Sequence, residues 1–211
     1  MRLLCAALGA AFLVSTPPAA AEEEAAEAPP AQLQKAFDLL RGGGYALVMR
    51  HANSPHDQAA SVGMTEGCNL QTGRGLDAEG FFQARQIGEW LKREAVPVLK
   101  AYTSDMCRSW DTARLSAGGA PVIPHGAQKT TDSAVIAAFK KEIEAELKAN
   151  PGQNIMLVSH SNIAPFYGAK ADADEEEVPS GAIYAVKPPK WRNAIRIDLI
   201  VDVGPQTVTV E

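Results

Sequence analysis

Two histidines each close a short apolar run, in Leu47-Val48-Met49-Arg50-His51 and in Leu157-Val158-Ser159-His160. Such an imidazole is more often a structural hydrogen bonder than a catalyst. Here, however, Arg50 precedes His51, and a third cluster, Thr103-Ser104-Asp105-Met106-Cys107-Arg108, supplies a second arginine. Two arginines and two histidines suit phosphoryl transfer to nitrogen. A neutral imidazole can attack phosphorus in line, while guanidinium donors hold the non-bridging oxygens where charge develops. Arginine is preferred to lysine because its planar fork bonds two oxygens and stays charged. The attacking ring must keep a lone pair on one nitrogen, so the other should donate to an acceptor such as a backbone carbonyl. Gly42 to Gly44 or the loop after Ala52 could provide it.

These clusters need elements that deliver them to one place. Leu33, Phe37 and Leu40 recur at helical spacing before Gly42-Gly43-Gly44, and Tyr45 to Met49 reads as a buried strand. A helix is expected from Leu76 to Glu94 with Asp77 as N-cap, a strand over Val98 to Thr103 and a helix over Met106 to Ala117. Pro121 to His125 should be extended, Ser133 to Ala149 an amphipathic helix, and Asn154 to Ser159 a buried strand. Ala182 to Val186 and Ile195 to Val201 complete the strands. Alternating strands and helices imply an α/β fold, a three-layer α/β/α sandwich with a mostly parallel central sheet. Ligands of such sheets bind beyond the strands' C-terminal ends, where His51 and His160 fall.

On these residues the chain resembles the histidine phosphatase superfamily, also called phosphoglycerate-mutase-like, and within it the small exported or SixA-like bacterial members. The resemblance runs from about Leu33 to Val186. It rests on Gly43 to Ala52, on Asn69-Leu70 through Leu76-Asp77-Ala78-Glu79-Gly80 to Gln83-Ala84, on Thr103-Ser104 through Cys107-Arg108 to Asp111-Thr112-Ala113, and on Leu157 to Asn162. It implies that His51 is the phosphorylated nucleophile, that Arg50, Arg108 and His160 complete the phosphate pocket, and that no metal or other cofactor is needed. The chain departs from the family pattern in having Ala52 where glycine is commoner, a variant the family also shows.

The general acid is harder to place. Protonating the leaving oxygen of an alkyl phosphate requires a positioned donor. In phosphoglycerate-mutase-like members a Glu lies between the second arginine cluster and the second histidine, but the matching stretch here is Gly126-Ala127-Gln128-Lys129. In acid-phosphatase-like members an Asp follows the second histidine, where this chain has Ser161. Asp132 is the nearest candidate, with Glu175 to Glu177 behind it. Among the remaining groups, His56 and His125 read as loop residues, Arg74 as a solvated arginine that could reach the mouth, the acidic run Asp172 to Glu177 as a solvated loop, and the tryptophans as core or rim packing. No histidine pair has metal-ligand spacing.

With 211 residues and 46% hydrophobic content the chain suits one domain, expected over 33–211. A net charge of -5 speaks against nucleic acid held by bulk electrostatics, so an anionic ligand must meet a local cluster. Arg2, the apolar run Leu3 to Val14 and Ala19-Ala20-Ala21 read as a signal peptide over 1–21, cut after Ala21. An acidic, Pro-containing lead-in over 22–32 follows, expected to be disordered. The mature protein should therefore be periplasmic or secreted, with no stable membrane anchor. Export leaves Cys68 and Cys107 as a pair in an oxidising compartment, expected to form a disulfide worth about 3 to 4 kcal/mol in the chain-entropy model. The function expected is an exported phosphatase acting on small phosphomonoesters or phosphoramidates through phosphohistidine. The rival is a non-catalytic binder of phosphate ligands that has lost its acid.

Overall fold

The computed structural model describes residues 31–55, 68, 74–173, 175–200 and 204–210. The expected signal segment, most of the lead-in, and His56, Asn69 and Leu70 lie outside the described residues. Helix α1 (Ala31–Arg41) begins the described fold and buries Leu33, Phe37 and Leu40. Strand β1 (Ala46–Arg50) follows the glycines, and helix α2 (Ala78–Arg93) starts at Asp77, whose carboxylate caps the Gly80 N–H. Next come β2 (Val98–Thr103), α3 (Cys107–Ser116), β3 (Val122–Pro124), α4 (Ser133–Ala149) and β4 (Asn154–Ser159). The last strands are β5 (Ile183–Lys187), β6 (Arg192–Ile200) and β7 (Gly204–Val210).

The strands form one sheet in the order β3-β2-β4-β1-β5-β6-β7. β3, β2, β4 and β1 pair in parallel, as crossover helices require, and this half carries the site. β5, β6 and β7 extend it as an antiparallel meander, because here strand follows strand with only a few residues between.

Alternation along the central strands builds the three layers. Leu47, Met49, Met156 and Val158 face one side, where they meet Phe37, Ile87, Trp90 and Leu91 from α1 and α2 and Ala113 from α3. Ala46, Val48, Ile155 and Leu157 face the other and meet Ile136, Phe139, Ile143 and Leu147 of α4. With both faces covered, β1 and β4 are buried along their whole length. Each large side chain so buried contributes roughly 1.5 to 3 kcal/mol relative to exposure.

Candidate active site

β1 and β4 are adjacent, parallel and in register, with Arg50 beside Ser159. The next residue of each strand is therefore a histidine beside a histidine. The His51 N–H donates to the Ser159 carbonyl at 2.9 Å, and the two imidazole centroids lie 5.5 Å apart. The connections then diverge: β1 leads towards α2 on one face of the sheet, while β4 leads into a short 3-10 turn, Ala164–Tyr167, packed on the other. Such divergence opens a crevice at the strand ends. A cavity of about 410 Å³ occupies it, lined by Arg50, His51, Arg74, Arg108, Lys129, His160 and Glu177 together with Met106 and Ser161 to Ile163.

The protonation pattern of His51 follows from its partners. Its Nδ1 lies 2.8 Å from the Ala52 carbonyl, which can only accept, so Nδ1 carries the proton. Nε2 keeps its lone pair and accepts from Arg108 Nε at 3.0 Å. Arg108 also reaches His160, with its Nη2 3.3 Å from Nδ1. His160 Nε2 is 3.0 Å from the hydroxyl of buried Ser104, an acceptor for the remaining ring proton. Burial, and then the charges of Arg108, His160 and Arg50, push the His51 pKa well below the usual histidine value, against the opposing effect of the Ala52 hydrogen bond. Burial first, and the charges of Arg108, Arg74 and Arg50 after it, bring His160 down to about 4. Both rings are neutral at pH 7, the state that nucleophilic attack by His51 requires.

The arginines come from separate elements. Arg50 ends β1 and is buried; its Nη1 donates to the Val178 carbonyl at 3.1 Å and pairs with the Glu177 carboxylate. Arg108 is the second residue of α3, so the positive end of that helix faces the same crevice. Burial, with Arg74 and Arg50 nearby, lowers the Arg108 pKa to about 10, which leaves it charged. Arg74, expected to be a solvated arginine, lines the cavity, with its Nε donating to Ser54 Oγ at 3.1 Å.

Thus His51, His160, Arg50 and Arg108 are brought together. Asp132 is not. Its carboxylate accepts from the backbone N–H groups of Ala134 and Val135, capping α4 on an exposed turn, and it does not line the cavity. An Asp directly before an amphipathic helix is a cap signal, and that signal outweighs proximity in sequence. Nor is the acidic run a loose solvated loop. Buried Arg196 of β6 clamps Asp172 at 2.8 Å and Glu175 at 2.7 Å, and Glu177 reaches the cavity. Lys129 also lines the cavity, paired with Asp105 at 2.5 Å.

Sequence reasoning gave no role to Thr112, Gln83 or Ser104. Thr112 Oγ1 accepts from the Ala52 N–H at 3.0 Å and donates to the Arg108 carbonyl at 2.7 Å, joining the strand end to α3. Gln83 accepts from the Asn53 N–H at 3.0 Å and donates to the Ser180 carbonyl at 3.1 Å. Their membership of the motif blocks was the available signal. Cys68 and Cys107 form a disulfide, Cα to Cα 5.3 Å, that fixes a point of the loop after β1 beside Arg108. Among the described residues no group of three or more His, Cys, Asp or Glu is arranged to hold a metal, and no helix is long and apolar enough to cross a membrane.

The resemblance drawn from the motifs holds. The family model for the histidine phosphatase superfamily (branch 1) matches residues 46–132, which include the His51 and Arg108 blocks. The fold is similar to that of a protein named as the phosphohistidine phosphatase SixA of Agrobacterium tumefaciens, at 16% identity over 74% of this chain and 98% of the other, with a TM-score of 0.52. A phosphoglycerate mutase of Thermus thermophilus aligns at 20% identity over 74% and 99% with a TM-score of 0.44. A sequence comparison with curated proteins finds no match.

Proposed function

We propose that this chain, carrying the histidine phosphatase pattern over residues 46–132, is a phosphatase that hydrolyses small phosphorylated substrates through a phosphohistidine on His51. The observation that carries this reading is the His51 tautomer. The Ala52 carbonyl holds the ring proton on Nδ1, and the Nε2 lone pair faces a cavity lined by arginines. A phosphoryl group entering there takes over the donors of Arg108 and Arg50, and the exchange releases the Nε2 lone pair for in-line attack. Arg50 and Arg108 then hold the non-bridging oxygens while the P–O bond breaks, joined by His160 once its single ring proton passes from Nε2, beside Ser104, to Nδ1, and water hydrolyses the P–N bond in a second step. The cavity suits a phosphomonoester or a phosphoramidate. We also assign the protein to the periplasm or the exterior, a reading supported by the apolar start of the chain and by the Cys68–Cys107 disulfide.

The test is direct. His51→Ala should abolish phosphate release from p-nitrophenyl phosphate, and acid-labile phosphate should be trapped on the wild type during turnover. Activity that survives in the variant would remove the mechanism. Stabilisation by phosphate with no turnover across a panel of phosphomonoesters would favour the non-catalytic binder.

A further inference from the structure

We propose that Glu177 is the proton donor to the leaving group, released for that task when the substrate's phosphate displaces it from Arg50. The proposal rests on the phosphatase reading and supplies the group that Asp132 does not.

Among the described residues Glu177 is the carboxylate that lines the cavity. Fixed points on either side hold it there. Glu175 is locked to Arg196, and Val178 is buried with its carbonyl on Arg50. The Glu177 side chain itself is half exposed at the mouth of the cavity. Its carboxylate occupies Nη1 of Arg50, while the Nε of Arg50 is buried with no hydrogen-bond partner among the described residues. Arg50 is thus incompletely satisfied by one carboxylate. A phosphoryl group offers more oxygens and up to twice the charge, and it wins the guanidinium.

The groups facing Glu177 are Arg50 from β1, Arg74 before α2, Arg108 from α3 and Lys129 after β3. A phosphoryl group bound among them offsets part of this positive charge, which moves a carboxylate beside it towards the protonated form. The proton arrives with the substrate, because phosphate monoesters have a second ionisation near 6 and bind in part as monoanions. The step then balances. His51 Nε2 bonds to phosphorus, the P–O bond breaks, and the leaving oxygen takes the Glu177 proton to depart as an alcohol. In the second step Glu177 removes a proton from the attacking water, the P–N bond breaks, and inorganic phosphate leaves with Glu177 protonated again.

Glu177→Gln removes the proton and the competing charge while keeping the shape. It should slow an alkyl ester such as glycerol phosphate by roughly 100-fold or more, the usual contribution of general acid catalysis. The deficit should shrink steadily across aryl phosphates as the leaving group becomes more acidic. The same variant should bind inorganic phosphate at least as tightly as the wild type in a thermal-shift titration. An equal deficit across all leaving groups, unchanged alkyl turnover or weaker phosphate binding would each overturn the assignment. Trapped phosphohistidine alongside any of these results would leave the phosphatase reading standing. Absence of both trapped phosphate and wild-type turnover would remove the two together.

Discussion

His51 shows how little freedom the local chemistry leaves to a single side chain. Its Nδ1 proton is committed to the next residue's carbonyl, and its other nitrogen faces a guanidinium. Neutrality is enforced rather than left to bulk pH. The same burial carries a stability consequence. His51 and His160 both have folded pKa values below the ordinary 6.5, with His160 at about 4, so in acid the unfolded chain binds protons that the folded chain refuses. Stability contributed by neutral burial is present above the unfolded value and is lost as pH falls towards the folded one. Thermal melts without phosphate should therefore drop between about pH 6.5 and pH 4, and a His160→Asn variant should lose less across that window. A variant whose pH dependence matches the wild type would show that His160 titrates normally.

At the scale of elements, the site depends on the joint between the end of β1 and the start of α3. Thr112 makes that joint, serving the Ala52 N–H and the Arg108 carbonyl with one hydroxyl. Thr112→Val keeps the shape but strands the buried Ala52 amide, which should cost about 1 to 3 kcal/mol. Because Ala52 also holds the His51 ring, kcat should fall with little change in KM, read on p-nitrophenyl phosphate. An unchanged kcat in a correctly folded variant would confine Thr112 to packing. What the sequence revealed follows the same division. Asn154 to Ser159 and Ser133 to Ala149 were legible to the residue, because an unbroken apolar run and a 3.6-residue face are local patterns. The antiparallel β7 and the partner of Arg50 were not legible. Gly204 to Val210 opens on Gly-Pro-Gln and alternates only over the four residues Thr207 to Val210, and the pairing of Arg50 with Glu177 spans 127 positions of chain. Asp132 misled because capping and catalysis draw on the same residue type.

For the whole molecule, a net charge of -5 coexists with a cavity lined by Arg50, Arg74, Arg108 and Lys129 against Glu177. Selection for phosphate is therefore local, and the partly buried arginines escape much of the screening that salt imposes on exposed charge. A ligand that binds only the folded state stabilises it by mass action, about 2.7 kcal/mol at a hundredfold excess over Kd. Inorganic phosphate should accordingly raise Tm in proportion to the logarithm of its concentration once above Kd, while sodium chloride at equal ionic strength should not. Replacing Arg50 and Arg108 together by alanine should erase the phosphate response. Replacing Arg85, an exposed residue of α2 paired with Glu89, should leave it intact. Equal stabilisation by chloride, or a phosphate response that survives the double variant, would place the anion elsewhere on the surface and remove the strand-end crevice as the phosphate site.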